Sequence, residues 1–257
     1  MMTMRDFVRA TPFFVIAHRG ASGHAPENTL AALRLAVASG ARMIELDVQF
    51  TSDRKQIVFH DHVLGRTTNG HGQVKNTTFE TIRSLDAGAW FGPSFAGERV
   101  PSLEEALALL RDHVYLNIEL KPITDRQTAR EDIADLVATI KRFDYELYMV
   151  FSSFDHDALR LVKDVDPQLH TVALNVPHDN RPPSEVVISC GADGFGCSIH
   201  ELTRARMADA NAHLIPVGVY TVNTIEDLRT VINLGARAVV SNYPDVIMEA
   251  YERMRSA

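Results

Sequence analysis

Carboxylates two residues apart, set among β-formers, are the first feature of this 257-residue chain that points to chemistry. Glu45 and Asp47 stand in Met43-Ile44-Glu45-Leu46-Asp47-Val48, and Glu119 and Lys121 in Asn117-Ile118-Glu119-Leu120-Lys121. Side chains alternate faces along a strand, so Glu45 and Asp47 share one face while Ile44, Leu46 and Val48 take the other. Glu119 and Lys121 pair in the same way, flanked by Ile118 and Leu120. Three carboxylates gathered in a low dielectric repel one another and resist ionisation. A compensating cation is required, and hard oxygen ligands suit Mg²⁺ or Ca²⁺. The plainer alternative is an inert network in which Lys121 and Arg19 neutralise the acids. Three acids at the same ends of adjacent strands favour the metal.

The chain has eleven histidines, and most carry no partner pattern. His62, His71, His113, His170, His178 and His213 read as surface, cap or core residues. His18, in Ala17-His18-Arg19-Gly20, and His60, in Phe59-His60-Asp61, each end a predicted strand beside charge. With an ordinary pKa near 6.5, such a ring both accepts and delivers protons around neutrality. Arg19 offers a planar fork matched to phosphate, and Lys121 a point charge. Two acid/base groups, an acidic cage and two cations make a kit for phosphoryl transfer.

Such residues need a scaffold that brings strand ends together. Apolar strands alternate with amphipathic helices along the chain: strand 13–17 with helix 27–39, 43–48 with 102–111, 114–120 with 126–142, and 147–152 with 155–164. The pattern continues with 169–174 and 183–190, 193–197 and 201–212, 213–222 and 225–234, and 236–241 and 244–256. Gly40 ends the first helix, Ser102 and Glu105 form a capping box, Thr224 caps the helix that Gly235 stops, and Pro244 opens the last. Eight such units predict an α/β fold, a (β/α)8 TIM barrel, which places catalytic residues at the C-terminal strand ends and needs about 250 residues. A doubly wound open sheet is the alternative, with no reason to stop at eight. Residues 56–61 read as an antiparallel hairpin partner to the second strand. Residues 62–100, rich in Gly and Asn with Trp90, Phe91 and Phe95, form a small insertion after strand 2, where lids of barrel enzymes sit. The whole chain, 1–257, is expected to be a single barrel domain.

Bulk properties narrow the partners. Hydrophobic residues make up 46% of the chain, enough for one sizeable core. A formal net charge of −7 argues against nucleic acid and anionic membrane surfaces as partners. Met1 to Ala10 lack the apolar run of a signal peptide, and no stretch approaches the roughly 20 apolar residues of a membrane span. Cys190 and Cys197 form no CxxC pair and read as buried, reduced thiols. A cytoplasmic enzyme without stable membrane insertion is the expectation.

His18-Arg19-Gly20, Pro26-Glu27-Asn28-Thr29, Glu45-Leu46-Asp47-Val48, Phe59-His60-Asp61 and Glu119-Leu120-Lys121 together resemble the glycerophosphodiester phosphodiesterase family, in its cytoplasmic bacterial type. The resemblance extends through Pro101-Ser102-Leu103-Glu104-Glu105, Thr221-Val222-Asn223 and Asn242-Tyr243-Pro244-Asp245, and so runs in order along the chain. It implies a barrel that hydrolyses small glycerophosphodiesters to an alcohol and glycerol 3-phosphate with a divalent metal. Carried over by motif, Glu45, Asp47 and Glu119 look like metal ligands, His18 and His60 like the acid/base pair, and Arg19 and Lys121 like phosphate contacts. One departure is Tyr220, where such proteins often have Trp; it bears on head-group or glycerol packing. A lysophospholipase D-like diesterase, with an apolar entrance, would use the same residues. A barrel that only binds phosphodiesters would have lost one of them, and all are present.

Overall fold

The computed structural model describes residues 1–123 and 126–256; Thr124, Asp125 and Ala257 lie outside the described residues. The strands are β1 (Phe14–His18), β2 (Met43–Phe50), β3 (Gln56–Val58), β4 (Tyr115–Leu120), β5 (Met149–Ser153), β6 (His170–Leu174), β7 (Gly194–Ser198), β8 (Val217–Tyr220) and β9 (Ala238–Ser241). The helices are α1 (Met4–Ala10), α2 (Leu30–Ala38), α3 (Phe79–Ser84), α4 (Leu103–Leu110), α5 (Ala129–Arg142), α6 (His156–Val165), α7 (Pro183–Cys190), α8 (Arg204–Ala212), α9 (Ile225–Leu234) and α10 (Pro244–Ser256). Eight of the strands pair in parallel, and β1 bonds to both β9 and β2, so the sheet closes into a (β/α)8 barrel. β3 adds antiparallel to β2, as the hairpin reading anticipates.

Alternation sorts the strand residues into two layers. Ile44, Leu46, Ile118, Phe151, Phe195 and Val219 face outward and pack with Leu33, Leu107 and Leu136 of the helix ring. Ile16, Met43, Tyr115 and Val150 face inward with Ala238 and Val240. The sequence reading misses α1, which closes the N-terminal end of the barrel. Its Phe7 is fully buried, stacks on Tyr115 with centroids 4.1 Å apart and tilts against Phe14 at 5.0 Å. Seven residues are too few for a periodic pattern to stand out, so only this tertiary burial identifies the helix.

Several helices start later than their apolar periodicity implies, because a cap sets the boundary. Thr29 accepts from Ala32 N, so α2 opens at Leu30, and Asn28, at φ 60°, cannot be helical. Asp155 and Thr203 cap α6 and α8 in the same way. The Ser102–Glu105 capping box, the Thr224 cap, the left-handed Gly235 and Pro244 opening α10 stand as the sequence implies. The seventh barrel strand, β8, is shorter than 213–222, at Val217–Tyr220. Both cysteines are free and buried.

The insertion builds a small core of its own. Leu64, Val74, Ile82, Ala87 and Val100 pack on Ile57 and Phe59, and Arg83 forks onto Glu105 at 2.5 and 2.7 Å to bind α3 to α4. Trp90, Phe91 and Phe95 form an edge-to-face chain outside that core, with Trp90 half exposed. No described helix is long and apolar enough to cross a membrane.

Candidate active site

The parallel register decides which side chains meet. His18 ends β1 opposite Glu45, Glu45 lies opposite Asn117, and Asp47 lies opposite Glu119. One oxygen from each of Glu45, Asp47 and Glu119 lies within 4.8 Å of the others, at the C-terminal mouth of the barrel. Glu45 and Asp47 are buried, at 3% and 0% exposure. The three acids expected to share a cation are therefore brought together.

The chain after β1 is shaped to deliver groups into this mouth. Arg19 and Gly20 both take positive φ, 55° and 81°, and a Cβ on Gly20 would come within 2.6 Å of the Ala32 backbone. Only glycine fits that approach. The turn aims the Arg19 backbone N–H at Glu45, donating to Oε2 at 2.9 Å. The Arg19 side chain donates to Glu27 at 2.7 Å and places Nε 3.2 Å from Asp47. Lys121, also buried, donates to Glu119 and sits 2.7 Å from Asp47 Oδ1.

Charge bookkeeping shows what these cations leave undone. Glu45, Asp47 and Glu119 face Arg19 and Lys121, an excess of one negative charge. Burial, then the charges of Asp47 and Glu119, raises the Glu45 carboxyl well above its usual range. Glu119 is raised by burial and by Asp47. Burial also opposes ionisation of Asp47, but Lys121 and Arg19 outweigh it and hold that acid low. Glu45 Oε1 is buried with no hydrogen-bond partner among the described residues. An orphaned carboxylate oxygen in an over-acidic cage fits a hard divalent cation.

Both histidines are anchored through Nδ1. His18 Nδ1 lies 2.6 Å from Asn242 Oδ1, and His60 Nδ1 lies 2.6 Å from Asp61 Oδ1. A carboxylate or amide oxygen only accepts, so each ring donates from Nδ1 and keeps its Nε2 lone pair for proton transfer. Burial and the Arg19 charge lower the His18 pKa to about 4. Burial lowers His60 as well, against the opposing charge of Asp47.

Several residues that complete the site carry no role in the sequence reading. Asn28 donates from Nδ2 to Asp47 Oδ2 at 2.7 Å and accepts the Asp47 backbone N–H, fixing that acid from both sides. Arg66, from the insertion, bridges Asp61 at 2.6 Å and Glu27 at 2.7 Å, linking the base of the insertion to the loop after β1. Glu27, Asn28 and Asn242 lie within motifs noted above, and Asp61 sits beside His60, but their partners come from distant segments. Tyr220 stands at the wall between the catalytic mouth and a second cavity of about 530 Å³ over β6 and β7, edge-to-face with Phe154 at 6.1 Å.

A closed parallel barrel with three acids, two ring-anchored histidines, an arginine and a lysine gathered at its strand ends has the parts of a phosphoester-cleaving barrel enzyme. The model of the glycerophosphoryl diester phosphodiesterase family matches residues 18–246, and the chain belongs to that family. A glycerophosphodiester phosphodiesterase of Caldanaerobacter subterraneus subsp. tengcongensis is 36% identical over 235 residues, covering 91% of this chain and 96% of that one. One from Bacillus altitudinis is 32% identical over 245 residues, covering 94% and 99%. Among solved structures, an Oleispira antarctica phosphodiesterase in complex with the product sn-glycerol-3-phosphate superposes with a TM-score of 0.88 at 33% identity, over 95% of this chain and 98% of that one.

Proposed function

We propose that this chain hydrolyses glycerophosphodiesters to an alcohol and glycerol 3-phosphate, with His18 and His60 moving the protons and with Glu45, Asp47 and Glu119 holding a divalent cation. The observation that carries the reading is the over-acidic cage of these three carboxylates, flanked by two histidines whose Nδ1 atoms are already committed. A bound Mg²⁺ or Ca²⁺ would supply Lewis-acid charge to the phosphate and hydroxyl oxygens. Arg19 and Lys121 neutralise the diester and hold it over the carboxylates. Tyr220 packs against the glycerol or the head group.

The substrate carries its own nucleophile, the hydroxyl on glycerol C2. Held beside phosphorus, such a group reacts with an effective molarity of up to about 10⁵–10⁸ M. One histidine Nε2 takes the hydroxyl proton as the new P–O bond forms, and the other histidine protonates the departing alcohol as its P–O bond breaks. Water then opens the cyclic 1,2-phosphate with the histidines in exchanged roles.

Turnover of a panel of glycerophosphodiesters, with and without chelator and with Mg²⁺ or Ca²⁺ restored, tests the assignment. Activity is expected to vanish on chelation and return with metal. Full turnover in excess chelator, with no metal by elemental analysis, would overturn the cage assignment. A 2-deoxy analogue should bind with similar strength yet turn over very slowly, and rapid hydrolysis of it would mean that water attacks phosphorus directly.

A further inference from the structure

A surface ion pair adds little to stability, because water screens it and a long side chain must be ordered to make it. The Arg66 side chain is 46% exposed, but the two acids it binds are only 13% and 17% exposed, Glu27 and Asp61. Its guanidinium forks onto both. Nε and Nη2 donate to Asp61 at 2.6 and 3.0 Å, and Nη1 and Nη2 donate to Glu27 at 2.9 and 2.7 Å. A planar fork can grip two carboxylates at once in this way, and a lysine point charge cannot. Each acid in turn holds a group of the candidate active site. Asp61 Oδ1 accepts from His60 Nδ1 at 2.6 Å, and Glu27 Oε1 accepts from Arg19 Nη1 at 2.7 Å. Among the described residues, the Asp61 carboxylate accepts only from Arg66 and His60, and that of Glu27 only from Arg66 and Arg19. A continuous line of charged groups therefore runs from the His60 ring through Asp61, Arg66 and Glu27 to the Arg19 fork.

The insertion does not depend on Arg66 for its attachment. Leu64, Val74 and Ile82 pack on Ile57 and Phe59, Arg83 forks onto Glu105, and Phe79 N donates to Asp53 Oδ1 at 2.8 Å. The turn that carries Arg66 is fixed from beneath by buried Leu64, Thr67 and Thr68, with Thr68 Oγ1 donating to the Leu64 carbonyl. Across from it, Gln49 on β2 donates from Nε2 to the carbonyls of Phe59 and Asp61, both at 2.8 Å. The backbone on either side of the bridge is thus held by other contacts, and the bridge itself governs only side chains. His60 and Arg19 line the cavity at the barrel mouth, whereas Arg66, Asp61 and Glu27 lie outside its lining.

We infer that Arg66 is a positioning residue, which sets the His60 ring through Asp61 and the Arg19 fork through Glu27, so that proton transfer and phosphate contact share one frame. The inference rests on the diesterase reading above and adds a residue to it. Without Arg66 the Asp61 carboxylate would be free to rotate about its own side chain and to take the ring with it. Two bonds from a fixed turn stop that rotation. Glu27 is held in the same way, so Arg19 keeps Nη1 on Glu27 and Nε 3.2 Å from Asp47, leaving Nη2 for the diester. A displacement of about 1 Å at such groups costs on the order of 10²-fold in rate, far more than the bridge is worth to the fold.

Arg66→Met keeps the length of the stem and removes the fork. Its kcat/KM on glycerophosphocholine should fall about 10²-fold, while Tm moves by no more than about 4 °C, as for a half-exposed ion pair. Two backgrounds separate the branches. Added to Asp61→Ala, Arg66→Met should raise KM and leave kcat where Asp61→Ala alone puts it. Added to Glu27→Ala, it should lower kcat and leave KM. Wild-type kinetics in Arg66→Met, or the same losses in both backgrounds as in the wild-type chain, would overturn the inference. Proton NMR reads the ring without turnover. The His60 Nδ1 proton, bonded to a carboxylate at 2.6 Å, should resonate far downfield and be identified by its loss in His60→Ala. In Arg66→Met it should move upfield and broaden through exchange with water, with the amide spectrum of the barrel retained. An unchanged signal would overturn the inference. Arg66→Lys, which keeps the charge without the fork, replaces Arg66→Met if that variant does not fold, and should show the same losses in smaller measure. If the wild-type protein hydrolyses no glycerophosphodiester, the diesterase reading fails, and the NMR signal still decides whether Arg66 holds the ring.

Discussion

At the scale of single residues, the two histidines differ in what holds their rings, although burial is the largest influence on both and lowers both pKa values. His60 donates to the Asp61 carboxylate, which favours an imidazolium, whereas His18 donates to the neutral amide of Asn242. Burial and Arg19 take His18 down to about 4, so in the free protein its ring is neutral at pH 7. Replacing either histidine by alanine should cost kcat the roughly 10²–10⁴-fold of a lost general acid or base, with the fold retained. Near-normal turnover of one variant would remove that residue from the mechanism. A second outcome follows from linkage. An unfolded histidine titrates near 6.5, so between pH 6.5 and 4 the unfolded chain binds a proton that His18 in the folded chain refuses. Stability must fall as the pH drops through that window, and His18 adds nothing further below it. Urea denaturation in chelator should show wild type losing on the order of 3 kcal/mol more than His18→Ala from pH 6.5 to 4. Parallel profiles for the two proteins would mean that the ring is not held neutral.

Elements decide which parts of this site a single sequence can reveal. The acids on β2 and β4 were legible because strand alternation fixes their face, and the barrel register then brings Asp47 opposite Glu119. The histidines were legible because both end predicted strands beside charge. Asn28 and Asn242 were not, since their partners lie 19 and 224 residues away and are joined only by the closing of β1 against β2 and β9. Glu27 needed the insertion to fold back, bringing Arg66 to it from 39 residues on. The helix α1 shows tertiary packing overriding weak local signal. Its Phe7 lies between Tyr115 and Phe14, with the Arg42 guanidinium 4.8 Å over the ring. Phe7→Ala should therefore cost about 3–5 kcal/mol, measured by chemical denaturation. A loss below about 1 kcal/mol would show that the barrel floor is closed without this helix.

For the whole molecule, the acidic mouth trades stability for function. Burial and the charge of Asp47 raise the Glu119 pKa, even with Lys121 beside it. A carboxyl raised in the folded state costs stability once the pH exceeds its unfolded value, so at pH 7 the raised Glu119 carboxyl works against the fold. A cation held by Glu45, Asp47 and Glu119 would reverse that cost, because it would bind the assembled cage and find no equivalent in the unfolded chain. At a hundredfold excess over Kd, such a ligand adds about 2.7 kcal/mol, or about 5–10 °C in Tm for a chain of this size. Mg²⁺ or Ca²⁺ should therefore raise Tm along a binding curve, while sodium at matched ionic strength should not. Glu119→Gln keeps the volume and removes one repelling charge. In chelator at pH 7 this variant should melt no lower than wild type, and in saturating metal it should melt below it. The two stability curves must cross as metal is added, and that crossing separates a cation site from an inert ion-pair network. If the variant keeps the full metal-induced rise, Glu119 is not a ligand. If neither protein responds to divalent cations, Arg19 and Lys121 already satisfy the acids and the cage holds no metal.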